Sequence, residues 1–263
     1  MSSARGGLAH PRLGRRCVLL LTFANTKLDK SLALGWETAG LSLAHGDTSG
    51  YEVCSHRSPE CFAGCNSTAG HGGIPHPLLG DDPHALVRRA RTMLLFKHRD
   101  QFFRHLVLEL TRFLKRVERR GNQAAFRPNV FSDLPWERMP FRDVHGHSWP
   151  SIFDYFGGEL TGYDYTKVPG RPSTPGYHLT FSLSETNMLV ARQEQARGLN
   201  MAVVFDASPT EALPATFDGL PVIDGDASDL RFLDPPGVVV GLRAKGRARR
   251  LPVGGFVRPR HPR

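Results

Sequence analysis

From residue 124 to residue 242 the chain repeats one unit: a short apolar run, a polar loop, then a helical stretch. Candidate strands are Ala125–Val130, Leu160–Tyr165, Tyr177–Ser182, Met201–Phe205, Pro221–Ile223 and Val238–Leu242. Candidate helices are Trp149–Phe156 and Glu185–Gly198. The strands carry β-branched and aromatic residues with little alternation, as strands covered on both faces do. Strands alternating with helices predict an α/β fold with a mostly parallel sheet, open or forming a partial (β/α) barrel.

What precedes this unit is different in kind. Residues 17–23 (CVLLLTF) read as a short buried strand. Residues 24–80 show no sustained period, and within them lies a cysteine loop over 46–80 that is expected to be irregular. Residues 82–120 then carry apolar positions at spacings of three and four. Leu86, Val87, Ala90, Met93 and Leu94 form one run. Phe102, Phe103, Leu106, Val107, Leu110, Phe113, Leu114 and Val117 form the next. Two amphipathic helices follow, opened by Asp81 or Asp82 with Pro83 and closed by Gly121. The stretch 17–245 therefore reads as a single α/β domain. No apolar run approaches the roughly 18 residues of a membrane span.

The formal net charge is +9, but it is unevenly placed. Residues 243–263 hold eight Arg or Lys and no acid, and residues 1–16 hold four Arg and no acid. The remainder, 17–242, carries −3. The segments 1–16 and 246–263 are expected to be a flexible basic extension and a flexible basic tail. Such ends give salt-sensitive phosphate binding, so nucleic acid is a possible partner through the termini, and membrane is not.

Three of the four cysteines crowd together as Cys54-x6-Cys61-x3-Cys65, a spacing that points to a metal or cluster rather than to disulfides. Three thiolates leave one coordination position. Open, it suits a [4Fe-4S] cluster; filled by His56, His71 or His76, it suits zinc. The spacing is not the CxxxCxxC of radical-SAM enzymes, which argues against S-adenosylmethionine. Cys17, in an apolar run, reads as core.

In parallel α/β folds ligands bind beyond the C-terminal ends of the strands. Polar groups gather there in this chain. They are Asp133, Trp136 and Glu137; Asp164, Tyr165 and Lys167; Glu185; and Asp224, Asp226 and Arg231. The carboxylates, Lys167 and Arg231 are candidate catalytic or anion-holding groups, and Trp136 and Tyr165 candidate platforms for a flat cofactor or base. Three readings stay open. One is an iron–sulfur enzyme acting on a nucleotide- or phosphate-containing substrate. Another is a zinc-stabilised hydrolase or nuclease with Mg²⁺ on Asp133, Asp224 and Asp226. The third is a nucleic-acid-binding protein without catalysis.

Several strings, among them "RPNVFSDLPWE", "YDYTKVPGR", "YHLTFSLSE" and "VIDGDASDLRFLD", resemble the phage gene product 88 family across about residues 23–248. The layout, a cysteine loop before the barrel-like part, is distantly similar to radical-SAM-type partial barrels. The family resemblance implies a phage or prophage setting, a place in the host cytoplasm, and a role tied to nucleic acid or nucleotides.

Overall fold

The structure, a computed structural model, describes residues 19–23, 31–68, 82–172 and 174–261. The extension 1–16, Cys17, Asp81, His71 and His76 lie outside the described residues. In chain order the first half contains β1 (Leu21–Thr22), β2 (Trp36–Leu41), α1 (Pro59–Ala63), α2 (Pro83–Lys97), α3 (Arg99–Glu118) and β3 (Gln123–Arg127). Next come the small hairpin β4 (Phe141–Arg142) and β5 (Ser148–Trp149), then α4 (Ile152–Phe156), β6 (Thr161–Thr166) and β7 (Tyr177–Ser182). The last part holds α5 (Met188–Ala196), β8 (Met201–Phe205), β9 (Thr216–Phe217), β10 (Leu220–Asp224), β11 (Val239–Arg243) and β12 (Val257–Arg258).

The main sheet runs β1-β2-β3-β6-β7-β8-β11-β10-β9. From β2 to β10 every neighbouring pair is parallel. β1 and β9 are antiparallel to their neighbours and form its two edges. The order advances almost steadily across the sheet, as it would in a barrel, but the sheet stays open. The expected mixed α/β class and the parallel sheet are what the chain forms.

Both faces of the sheet are covered. On one, α3 buries Phe102, Phe103, Leu106, Leu110, Phe113 and Val117 against a core that includes Ala39, Leu41 and Phe126. On the other, Ala125 of β3 and Tyr163 of β6 pack with Leu230, Trp36 and Phe232. Strand alternation therefore puts Arg127 and Tyr165 on this second face. Gly162 shows why β6 needs a residue without a side chain. A Cβ there would come within 2.2 Å of the Phe153 ring, which stacks on Tyr177.

Three expectations are corrected. The first is the buried face of α2. Arg88, Arg91, Thr92 and Leu95 are buried, whereas Leu86 and Val87 are exposed. The helix is tied down by polar contacts. Arg91 Nε donates to the Leu19 carbonyl, and the Ala44 N–H donates to Thr92 Oγ1. The second is β2, the strand next to the edge strand β1, inside the region read as patternless. Its inner residues Thr38, Ala39 and Gly40 are small and carry no hydrophobic period. The described part of the cysteine segment, 46–68, is mostly loops and short turns, with Cys61 on α1, which Ser58 caps.

The third is the basic tail. Residues 246–261 fold back onto the body. β7 pairs with β8 only at Met201 and Ala202, and β12 takes the vacated edge, pairing Val257 with Val204 and Arg258 with Phe205. Ala248 packs with Val257 and Leu251 in a small core of its own. Several of the arginines are spent on this folding: Arg258 donates to the Ser184 carbonyl, Arg249 to the Ala244 carbonyl, and Arg260 pairs with Glu211.

Candidate functional site

Where β7 and β8 part, a pocket of about 220 Å³ opens at the C-terminal ends of the parallel strands. Each strand supplies the wall with the residues at or just past its end. β3 leads into Arg127, Asn129 and Asp133; β6 supplies Tyr165 and Lys167; β7 supplies Ser182; β8 and β11 supply Val204 and Arg243. The cysteine segment covers the pocket with Cys54, Cys61, Cys65, His45 and Phe62, and the returning C-terminal segment adds Phe256.

Cys54, Cys61 and Cys65 are not joined to one another by disulfides. Cys54 Sγ donates to the Phe131 carbonyl at 3.5 Å. Burial pushes its pKa up to about 12, and the nearby Asp133, Cys65 and Cys61 push the same way. Cys65 is also raised by burial, while the positive charge of Lys167 opposes the rise. The thiols thus sit close enough to feel one another. Among the described residues, no group of three or more His, Cys, Asp or Glu side chains is arranged to hold a metal ion. The donor set itself is the kind that binds soft metals. His45, also in the wall, bonds through Nδ1 to Ser67 Oγ at 2.8 Å, and burial together with the neighbouring Arg88, Arg57 and Arg247 lowers its pKa. His56 is exposed and lies off the pocket.

Glu185 positions this cover. Its carboxylate accepts from Ser58 Oγ at 2.6 Å and from the Glu60 N–H at 2.9 Å, clasping the start of α1. Burial opposes its ionisation, yet these bonds hold its pKa below the ordinary value. Glu60 in turn accepts from the Phe256 N–H, which joins α1 to the C-terminal segment.

Beneath the pocket runs a buried polar network. Asn129 Oδ1 accepts from Ser132, from the Leu134 N–H and from Trp136 Nε1, shaping the turn after β3. Arg171 donates to both Glu137 and Asp133. Asp133 Oδ2 accepts from the Lys167 N–H at 2.7 Å and so fixes the end of β6. Asp164 is fully buried and accepts from Tyr177 Oη at 2.7 Å and from the Asn129 N–H. Burial pushes its pKa up to about 7 against the pull of Arg127, Tyr177 and Arg171.

The candidates from the sequence therefore divide. Asp133, Tyr165, Lys167, Asp226 and the three cysteines share the pocket. Trp136 does not: it is wholly buried, packed near Phe102 and Phe103, and has no face to offer a cofactor. Tyr165 carries the Arg127 guanidinium over its ring at 5.1 Å, and its hydroxyl is buried. Glu137 and Asp164 belong to the network below, and Glu185 to the clasp. Asp224 lies outside the wall, paired with Arg243 at 2.9 Å. Arg231 is buried beside Asp234. Spacing at strand ends did not single out Arg127, Asn129, Arg171, Arg243 or His45. The strings "RPNVFSDLPWE" and "YDYTKVPGR" contain three of them.

The geometry defines a class: an open parallel α/β protein with a cation-rich pocket at the strand ends, covered by a three-cysteine segment. Within that class, the chain belongs to the Gene product 88 family, whose sequence profile matches residues 19–253. It is thus a phage-type protein. No curated protein and no solved structure matches it. No described helix is long and apolar enough to cross a membrane.

Proposed function

We propose that this protein is an enzyme whose pocket at the strand ends takes a small substrate bearing a phosphate, of the nucleotide class, and whose Cys54, Cys61 and Cys65 close on an iron–sulfur cluster when one is loaded. The observation that carries this reading is the convergence of three cysteine side chains and five cationic side chains on one pocket at the C-terminal rim of the sheet. The cations are Arg57, Arg127, Lys167, Arg243 and Lys245, set against the two carboxylates of Asp133 and Asp226. Four of these cations are paired with carboxylates of the wall or just behind it, so the pull on an anionic guest comes chiefly from Lys167. A bound cluster supplies one-electron or Lewis-acid chemistry; the chain's own residues bind and orient the substrate and screen it from water.

Neither alternative gains comparable support. The carboxylates expected to hold Mg²⁺ are engaged: Asp133 with Arg171, and Asp224 and Asp226 with Arg243. Of the arginines of the C-terminal segment, Arg249, Arg258 and Arg260 bond to the body, while Arg247 and Arg250 are exposed. Reconstitution with iron and sulfide in the absence of oxygen tests the proposal. A brown protein with bound iron is expected, with colour and iron lost in the Cys54→Ser/Cys61→Ser/Cys65→Ser variant. A colourless, iron-free wild type would overturn the cluster, and one zinc per chain would replace it with a site built from the three cysteines and His45.

A further inference from the structure

Four of the five pocket cations already have a carboxylate. Arg57 pairs with Asp47, Arg127 with Asp229, Arg243 with Asp224 and Asp226, and Lys245 with Asp226. Lys167 has no carboxylate within 4 Å among the described residues, although its charge reaches Glu185 and helps to lower that carboxyl's pKa. Its ammonium donates to Ser182 Oγ at 2.9 Å and sits 5.6 Å from the centre of the Phe256 ring. A hydroxyl, a ring face and a carboxylate beyond direct contact leave a half-buried ammonium without an ion-pair partner among these residues. Ser182 accepts this bond, and among the described residues its O–H has no acceptor, so it can donate to a ligand. Asp133 holds the Lys167 main chain in place, so the ammonium stands on a fixed strand end rather than a loose loop. The pull of Lys167 on Cys65 places the ammonium within electrostatic reach of the thiol cover.

We propose that Lys167 and Ser182 form an oxyanion-binding subsite that anchors the charged end of the substrate at the gap between β7 and β8. This deepens the reading above and rests on the pocket being the ligand site. A single ammonium with one hydroxyl recognises a phosphate or a carboxylate alike. The pocket, at about 220 Å³, is smaller than the roughly 300–1,000 Å³ of sites that enclose drug-sized ligands. It holds the charged group of a ligand whose remainder extends toward the mouth.

Metal-free full-length protein should be titrated calorimetrically with inorganic phosphate, adenosine monophosphate and acetate in separate arms. Binding of phosphate and the nucleotide, with a weakening of tenfold or more in Lys167→Met and retention in Lys167→Arg, is the expected result. Saturation by acetate alone would assign the subsite to carboxylates. Lys97→Met, a change at an exposed lysine of α2, should leave binding unaltered. Equal affinity in wild type and Lys167→Met, or no anion bound by the wild type, would overturn the proposal. Loss of iron loading in Lys167→Met with anion binding intact would also overturn it, because Lys167 would then serve the thiols. Since no metal is present in the titration, its outcome is separate from that of the iron experiment.

Discussion

Arg171 shows at the scale of one residue how the ground under the pocket is held. Its guanidinium is buried and shared by Glu137, Asp133 and Tyr177. Removing one partner of a buried ion pair leaves the other charged and unsolvated, a loss of about 3–5 kcal/mol. Arg171→Met should therefore lower stability by that order in urea denaturation. A loss below 1 kcal/mol would mean the network is solvated. Asp164 makes a pH prediction. Its folded-state pKa is about 7 against an ordinary value of 3.8, so the folded chain binds this proton more tightly than the unfolded chain. The stability it contributes is full below about 3.8 and is lost as the pH rises through about 7. The stability of wild type relative to Asp164→Asn should fall across this window, by up to ~1.4 kcal/mol per pH unit, and be flat above it. A constant difference from pH 4 to pH 8 would count against a titrating Asp164.

At the scale of elements, α1 is short and buries no residue, so the Glu185 clasp and the Glu60 bond to Phe256 hold it in place. Glu185→Ala should cost about 1–3 kcal/mol from the two lost charge-assisted bonds. It should also speed alkylation of Cys61 and Cys65 by a thiol reagent, with Lys97→Met as an unaffected reference. Unchanged labelling rates would show that the cover does not depend on the clasp. The contrast between α2 and α3 explains what was legible at this scale. In α3 the apolar spacing and the buried stripe coincide, because greasy side chains pack wherever a sheet covers them. In α2 the buried face is made by Arg88, Arg91 and Thr92, whose partners are a carboxylate and main-chain groups. No hydrophobic period reports such contacts. β2 was hidden for a related reason: small residues fit between covered neighbours without leaving a pattern.

For the whole molecule, the decisive feature is the return of the C-terminal segment. Truncation after Lys245 removes β12 from the β8 edge, Phe256 from the pocket wall and the partner of Glu60. A clear drop in thermal midpoint is expected, together with loss of phosphate binding in the calorimetric assay. A loose tail would change neither. The chain's own order determined the parallel α/β class, most strand positions and the α3 stripe, because those signals are local periodicities set by backbone geometry. It also brought thiols, carboxylates and cations near the strand ends. Only the tertiary structure decided which of them face the pocket. Asp133 and Asp226 reach it, while Glu137, Asp164 and Arg231 pair in the interior and Trp136 joins the core. The reason is physical: a charged side chain's role depends on which distant partner neutralises it, and that pairing forms only when the strands are side by side.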